Sequence, residues 1–420
     1  MTSAISRAAE VSATDRNIRH DSRRMAGRDP HETHRAATPL ELLFDLTFAT
    51  CFGLAASEVA PVLAEGHFIA GLVGFGFASF AICWAWINFS WFSSAYDTDD
   101  WLFRIVTMVQ MVGVLVLAAG VPRIFASIEH SGRLDNSVMV FGYVIMRVAM
   151  VFQWLRAARD DPARRRVCLT YAATISIAQV GWVVQILVPL PGATAIILGS
   201  FLVVIEMAGP VLAERRAGGT PWHAHHIAER HSLFTIIALG EGVVGTVAAL
   251  SAVVDRQGWT VDAVLVGIAG MGLTFGMWWV YDLVPAGAIL QRHRDRAPVW
   301  GYVQMLIVTA IVATGAGLRV AAVFIEGRAK ISALGSVLAV GVPVVAFLGL
   351  MYALSYYLVR RFKVFQTWFL IATGGVVTIT IVAALSGVDV ARCLVILMLA
   401  PAVTVAGSEV GLTAGDAPRS

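Results

Sequence analysis

Long apolar runs, broken by short polar or basic links, dominate the chain. A helix that crosses a bilayer needs about 20 mostly apolar residues. Twelve stretches meet that need: 39–64, 67–93, 101–120, 136–157, 165–188, 193–213, 230–251, 259–283, 298–324, 333–358, 364–385 and 389–411. The tightest link is the first, around Gly66. The pattern predicts an all-α polytopic membrane protein with about twelve transmembrane helices. Composition agrees. Of 420 residues, 58 % are hydrophobic and 14 % charged, whereas soluble domains carry roughly 25 % charged residues.

The polar links set the expected orientation, because short cytoplasmic loops collect Lys and Arg. Basic clusters occupy the fourth link (RAARDDPARRR), the sixth (ERR), the eighth (QRHRDR) and the tenth (VRRFK). The odd links are leaner, with Arg123, Arg133, Arg328 and Lys330 as exceptions. Both termini are therefore expected in the cytoplasm. The net charge of +3 is small and its basic residues are scattered among links, which argues for topology and against nucleic-acid binding. The polar, Arg-rich segment 1–38 has no apolar core of the kind a secretory signal needs and is read as a cytoplasmic tail.

An internal echo runs through the chain. WAWINFSWF in the second run resembles GMWWVYDL in the eighth. Trp101 and Gln110 correspond to Trp300 and Gln304, and Arg164–Arg166 to Arg360 and Arg361. The offset drifts between about 190 and 200 residues, as a duplication with small insertions would. Six helices per half is an even number, so duplication predicts two parallel six-helix repeats. The expected division is a tail 1–38, a first half 39–213, a second half 214–412 and a tail 413–420.

Ionisable residues inside apolar runs are the candidate chemistry, because at membrane depth they face a bundle interior or a wet cavity. In PLELLFDLTF, Glu41 and Asp45 stand four apart on one helical face. Glu41 also fits the favourable first turn of a helix. In the seventh run, Glu229, Arg230 and His231 lie at the start. Glu241 follows Arg230 by eleven residues, close to three turns and about 16 Å deeper. Arg147 in the fourth run is the expected counter-charge for Glu241, with Glu206 in the sixth as a rival acid. Asp282 closes the eighth run. Most intramembrane charge lies toward the cytoplasmic side, and the outer side shows little beyond Glu58 and Arg319. A fixed packing pair and a titrating site remain equal readings of these charges.

Other chemistries find less support. WHAHHIAERH places His225 and Glu229 four apart but lacks the H-E-x-x-H pattern, so no metal site is expected. No nucleophile elbow, P-loop or dinucleotide fingerprint is present. Cys51, Cys83, Cys168 and Cys393 form no CxxC pair and are expected as packing residues. No cofactor is expected.

Two stretches carry a family likeness. HRAATPLELLFDLTFA (34–49) and HHIAERHSLFTIIALGEGVV (225–244) resemble the signature regions of the bacterial low temperature requirement protein A (LtrA) family. The first is carried by Arg35, Pro39, Glu41, Phe44 and Asp45. The second is carried by Glu229, Arg230, Leu239, Gly240 and Glu241. Tyr281 and Asp282 fall at the family's aromatic–acid end of the eighth helix. Leu43, where a second Phe is usual, and His231, where Phe or Tyr is common, depart mildly. The resemblance implies a multi-span bacterial inner-membrane protein linked to growth in the cold, and it implies no particular reaction. The reading is a secondary transporter acting on an unknown small molecule or ion. The alternative is a membrane-embedded lipid-handling enzyme or membrane-state sensor with a cytoplasm-facing polar pocket. Glu41, Asp45, Arg147, Glu206, Glu229, Arg230, His231, Glu241 and Asp282 are the candidate site residues. The lipid bilayer is the expected partner, and an oligomer is left open.

Overall fold

The computed structural model describes residues 23–30, 32, 35–130, 135–188, 190–360 and 364–415. The outermost parts of both tails, with His34, Arg133, Arg361 and Lys363, lie outside the described residues. The long apolar runs fold as α1 (Pro39–Ala64), α2 (Phe68–Tyr96), α3 (Trp101–His130), α4 (Ser137–Asp160), α5 (Arg165–Leu187) and α6 (Gly192–Arg216). They continue as α7 (Ala224–Gln257), α8 (Val261–Asp282), α9 (Ala297–Ile325), α10 (Ala333–Val359), α11 (Val364–Leu385) and α12 (Val390–Gly415). Among the described residues, twelve helices are long and apolar enough to cross a membrane.

Local chemistry sets several helix ends. The tight first link holds because Gly66 adopts φ +91°, a left-handed turn that closes α1 before α2 begins. Asp100 caps α3 by accepting from Phe103 N at 2.8 Å. Helix α7 starts six residues earlier than its apolar run predicts, because His223 caps it: the His223 Nδ1 accepts from His226 N at 3.1 Å. The polar stretch His225–His231 is therefore helix rather than link, and Arg230 lies about two turns inside it.

The chain divides into two compact units. One holds the described residues up to Thr47, with 85–123 and 135–227. Its α3 and α4 approach closely at Gly142, where a Cβ would strike the backbone of Leu117. Small residues permit such contacts where lipid supplies no hydrophobic push between helices. The α4–α5 pair is fixed by Trp154 and Tyr171, stacked with centroids 4.2 Å apart and planes at 1°. Phe44, Phe89, Phe92 and Phe103 add a buried aromatic core, each ring contact worth about 0.5–1.5 kcal/mol beyond its area.

The other unit holds 48–84, 124–130, 228–360 and 364–415. Its centre is α9, the most enclosed of the twelve spans. Gly317 of α9 meets the backbone of Ala339 in α10. Gly272 and Gly276 of α8 receive Met398 and Pro401 of α12. Helix α11 is the least enclosed span, and it presents Trp368, Ile371 and Leu385 outward. An outward apolar face suits a helix bathed in lipid, and the protein is a multi-pass membrane protein.

Candidate functional site

The start of α1 gathers the densest buried charge in the first unit. Thr38, Pro39, Leu40 and Glu41 form a capping box. Glu41 N donates to Thr38 Oγ1 at 3.3 Å, and Thr38 N donates to Glu41 Oε2 at 2.8 Å. Pro39 occupies the first helical position, where its missing N–H costs nothing. The cap leaves Glu41 capacity to spare. His226 Nε2 lies 3.2 Å from Glu41 Oε2, with both side chains wholly enclosed. One turn on, Asp45 accepts from Trp86 Nε1 at 2.7 Å and is equally enclosed. The two acids share a face of α1, yet Glu41 engages α7 and Asp45 engages α2.

The last turn of α2 and the segment before α1 complete this junction. Arg35 donates through Nη2 to the Ser93 carbonyl at 2.6 Å. The same carbonyl accepts from Asp97 N at 3.1 Å. His223 N donates to Ser94 Oγ at 3.0 Å, and His223 Nε2 lies 2.8 Å from the Glu32 carbonyl. With Nδ1 capping α7, His223 must carry its proton on Nε2. Burial holds His223 below the usual histidine range. Burial, and next the charge of Glu41, push the Asp97 carboxyl up to about 6. Burial and then Arg28 push Arg35 down to about 10, against the pull of Glu41, Asp97 and Glu32. Burial also opposes the Asp100 charge. Hydrogen bonds from Arg156 and from the Phe103 and Arg23 backbones outweigh it and hold that carboxyl below its ordinary range.

A second buried cluster joins α4, α5 and α6. Arg147 Nη2 donates to Glu206 Oε2 at 2.9 Å, and Tyr143 OH bonds both groups. Trp182 Nε1 donates to the other Glu206 oxygen at 2.8 Å. The expected role of Arg147 as counter-charge to Glu241 is therefore corrected: Arg147 is committed to Glu206. The reason is local. Tyr143 stands one turn before Arg147 and steers the guanidinium toward α6, with its ring 4.5 Å under the charge.

Glu241 finds its partner in the second unit. Arg319 Nη2 donates to Glu241 Oε2 at 2.9 Å. Gly245 and Gly315 bring α7 and α9 so close that a Cβ at Gly315 would strike the Glu241 carbonyl. Arg319, one turn beyond Gly315, then reaches back to the carboxylate. A Cβ on Gly53 would stand 3.3 Å from Glu241 Oε1. In the same unit His231 lies against Trp300, with ring centroids 4.5 Å apart. Arg230 is wholly buried. Glu229 and Asp282 are exposed and belong to none of these clusters.

Sequence reasoning missed His226, Trp86, Asp97, Tyr143, Trp182 and Arg319 as partners. Two local signals were present: Thr38 and Glu41 at capping-box spacing, and His223 and His226 at the same three-residue interval. Among the described residues no group of three or more His, Cys, Asp or Glu is placed to hold a metal ion. The four cysteines are buried, and none forms a disulfide among the described residues.

Comparison with known proteins places residues 36–402 in a match to the family described as Bacterial low temperature requirement A protein (LtrA). The matched range includes Glu41, Asp45, Asp97, Arg147, Glu206, His226, Glu241 and Arg319. A protein of Rhizobium meliloti (strain 1021), described as "Uncharacterized protein RA0937", is 24 % identical over 251 residues, 57 % of each chain. The chain thus spans little more than half the length of this curated relative. No solved structure matches the chain.

Proposed function

Since this chain belongs to the bacterial low temperature requirement A (LtrA) family, we propose that it is an ion-coupled secondary transporter of the bacterial inner membrane. The observation that carries the proposal is the Glu41–His226 contact, 3.2 Å across and wholly enclosed, one turn from the equally enclosed Asp45. A carboxylate–imidazole pair changes charge on gaining one proton. In surroundings this dry the change alters the energy of every neighbouring dipole. Such groups mark proton and ion pathways in membranes. Glu41 and Asp45 are the coupling-ion site in this reading, and Glu241 with Arg319 forms a second charged station. The internal echo supports two six-helix repeats, the architecture of many carriers. The family name supports a role in growth at low temperature.

Sealed vesicles containing the purified protein and an internal pH dye test the proposal. Imposed gradients of protons, sodium or potassium are expected to produce a pH change. Glu41→Gln, present at equal abundance, is expected to abolish it. Wild-type vesicles as tight as protein-free ones would sink the carrier reading. The lipid-handling enzyme or membrane-state sensor would then take its place. That second reading draws on the same Glu41–His226 pair as an acid–base couple, and turnover of labelled phospholipid in those vesicles would report it.

A further inference from the structure

The partner of Glu41 is held in place by another histidine. The His223 carbonyl accepts the first bond of α7, from Ile227 N at 3.0 Å. Its Nδ1 accepts from His226 N at 3.1 Å, so His223 stands in the N-cap position of α7. Ser, Thr, Asn and Asp usually fill that position, and each keeps its acceptor oxygen at any pH near neutral. A histidine does not, because a protonated imidazole carries a donor on both nitrogens. Two further contacts pin His223. Its N donates to Ser94 Oγ at 3.0 Å, and its Nε2 lies 2.8 Å from the Glu32 carbonyl. The residue it caps, His226, lies with Nε2 3.2 Å from Glu41 Oε2, wholly enclosed. One imidazole thus ties together the segment before α1, the end of α2 and the start of α7, and it does so through the neighbour of Glu41.

We propose that His223 is a proton-operated cap: neutral, it holds His226 against Glu41, and on taking a second proton at Nδ1 it releases the start of α7 and draws that imidazole away. The new Nδ1–H bond uses the lone pair that received His226 N, so two donors then face each other across 3.1 Å. A buried N–H without an acceptor is costly. The His223 backbone stays with Ser94, and its Nε2 proton stays with the Glu32 carbonyl. His226 is therefore the member that moves. As regulation of the Glu41–His226 site this rests on the carrier reading, whereas the uncapping itself is a property of the fold. The groups facing His223 are Glu32 and Arg35 before α1, and His225 and His226 on α7. Arg28 binds the Glu32 carboxylate at 2.8 Å, and α2 presents the uncharged Ser94. Burial, above all, opposes the second proton, as do Arg35 and His225. The Glu32 carbonyl and carboxylate favour it, and the balance stays below the ordinary 6.5. The cap is therefore intact above pH 6.5 and is lost as the pH falls below that value.

Hydrogen exchange at the start of α7, read on the full-length protein in lipid nanodiscs between about pH 5 and pH 8, tests this without any transport assay. Rates are divided by those of an unstructured peptide of the same sequence, which removes the intrinsic effect of pH. Wild-type protein is expected to lose protection at His226 by roughly fivefold as the pH falls, the weight of one cap. His223→Asn keeps an acceptor oxygen that does not titrate, and it is expected to stay protected throughout. His223→Ala is expected to lack protection at every pH. His225→Gln is expected to keep the wild-type profile. Wild-type protection that is constant with pH overturns the proposal, and this profile needs no variant to fold. A loss that persists in His223→Asn, or that vanishes in His225→Gln, overturns it too. If uncapping is seen but vesicles carry no flux, the cap stands and the carrier reading alone fails. If flux through Glu41 is seen while protection stays constant, only this inference fails.

Discussion

At the scale of single residues, the protein encloses several acids and gives most of them a hydrogen-bonded partner. Asp97 is the least compensated. Its carboxyl titrates near 6 in the fold against an ordinary 3.8, so its charge costs stability. The cost is absent below the ordinary value, grows between the two, and is complete above about 6. Asp97→Asn is therefore expected to unfold at a higher temperature than wild type at pH 7.5. The gain is on the order of 2–3 kcal/mol and vanishes toward pH 4. Thermal unfolding in detergent at several pH values checks it. Glu206 is the opposite case, since three donors reach its two oxygens. Arg147→Met strands that charge and is expected to cost about 3–5 kcal/mol. The double variant Arg147→Met/Glu206→Met should recover most of the loss, and a double-mutant cycle on the unfolding free energy measures the recovery. The acids were legible in the sequence as anomalies in apolar runs. Their partners were not. Glu41 meets a histidine 185 positions away and Glu241 an arginine 78 positions away, and no periodicity encodes such distances.

At the scale of helices, glycine sorts into two kinds that look alike in sequence. In LGEGVVG, a Cβ on Gly240 meets nothing within 4 Å, whereas one on Gly245 would strike the Gly315 carbonyl. Gly240→Ala is expected to be neutral or to gain up to about 1 kcal/mol from helix propensity. Gly245→Ala is expected to lose about 1–3 kcal/mol by forcing α7 and α9 apart, and to loosen the Glu241–Arg319 contact with them. Parallel melting curves of the two variants separate these outcomes. The capping box at α1 predicts that Thr38→Ala costs about 1 kcal/mol, read by the same assay. Helix existence was legible almost everywhere: the run at 333–358 became Ala333–Val359. Helix ends were less so: α3 runs on to His130 where its predicted run stops at 120, and α7 begins at Ala224 where its run begins at 230. A histidine cap and a polar first two turns carry no apolar period, so its start stayed hidden until His223 was seen folded onto His226 N.

At the scale of the whole molecule, the twelve spans give an even count. The basic links after α4, α6, α8 and α10 share one face of the count. Both termini are expected on the cytoplasmic side, held there by the positive-inside preference. Reporter domains fused to each end, active only in the cytoplasm or only outside it, check this. Activity of the two fusions on opposite sides would refute it. The same charge logic predicts that labels directed at the fourth and tenth links react from the cytoplasm alone.

The sequence by itself determined the solvent, the number of helices and the family. Each follows from local composition: an apolar run of sufficient length has one stable form in lipid, a helix that satisfies its own backbone. It also marked Glu41, Asp45, Arg147, Glu206 and Glu241 as residues out of place. Only the tertiary structure decided which charges meet. That choice is made by small-residue contacts such as Gly245 with Gly315, and by steering groups such as Tyr143 beneath Arg147. The energy of a buried charge depends on atoms within a few ångströms of it, and in a bundle those atoms come from distant parts of the chain.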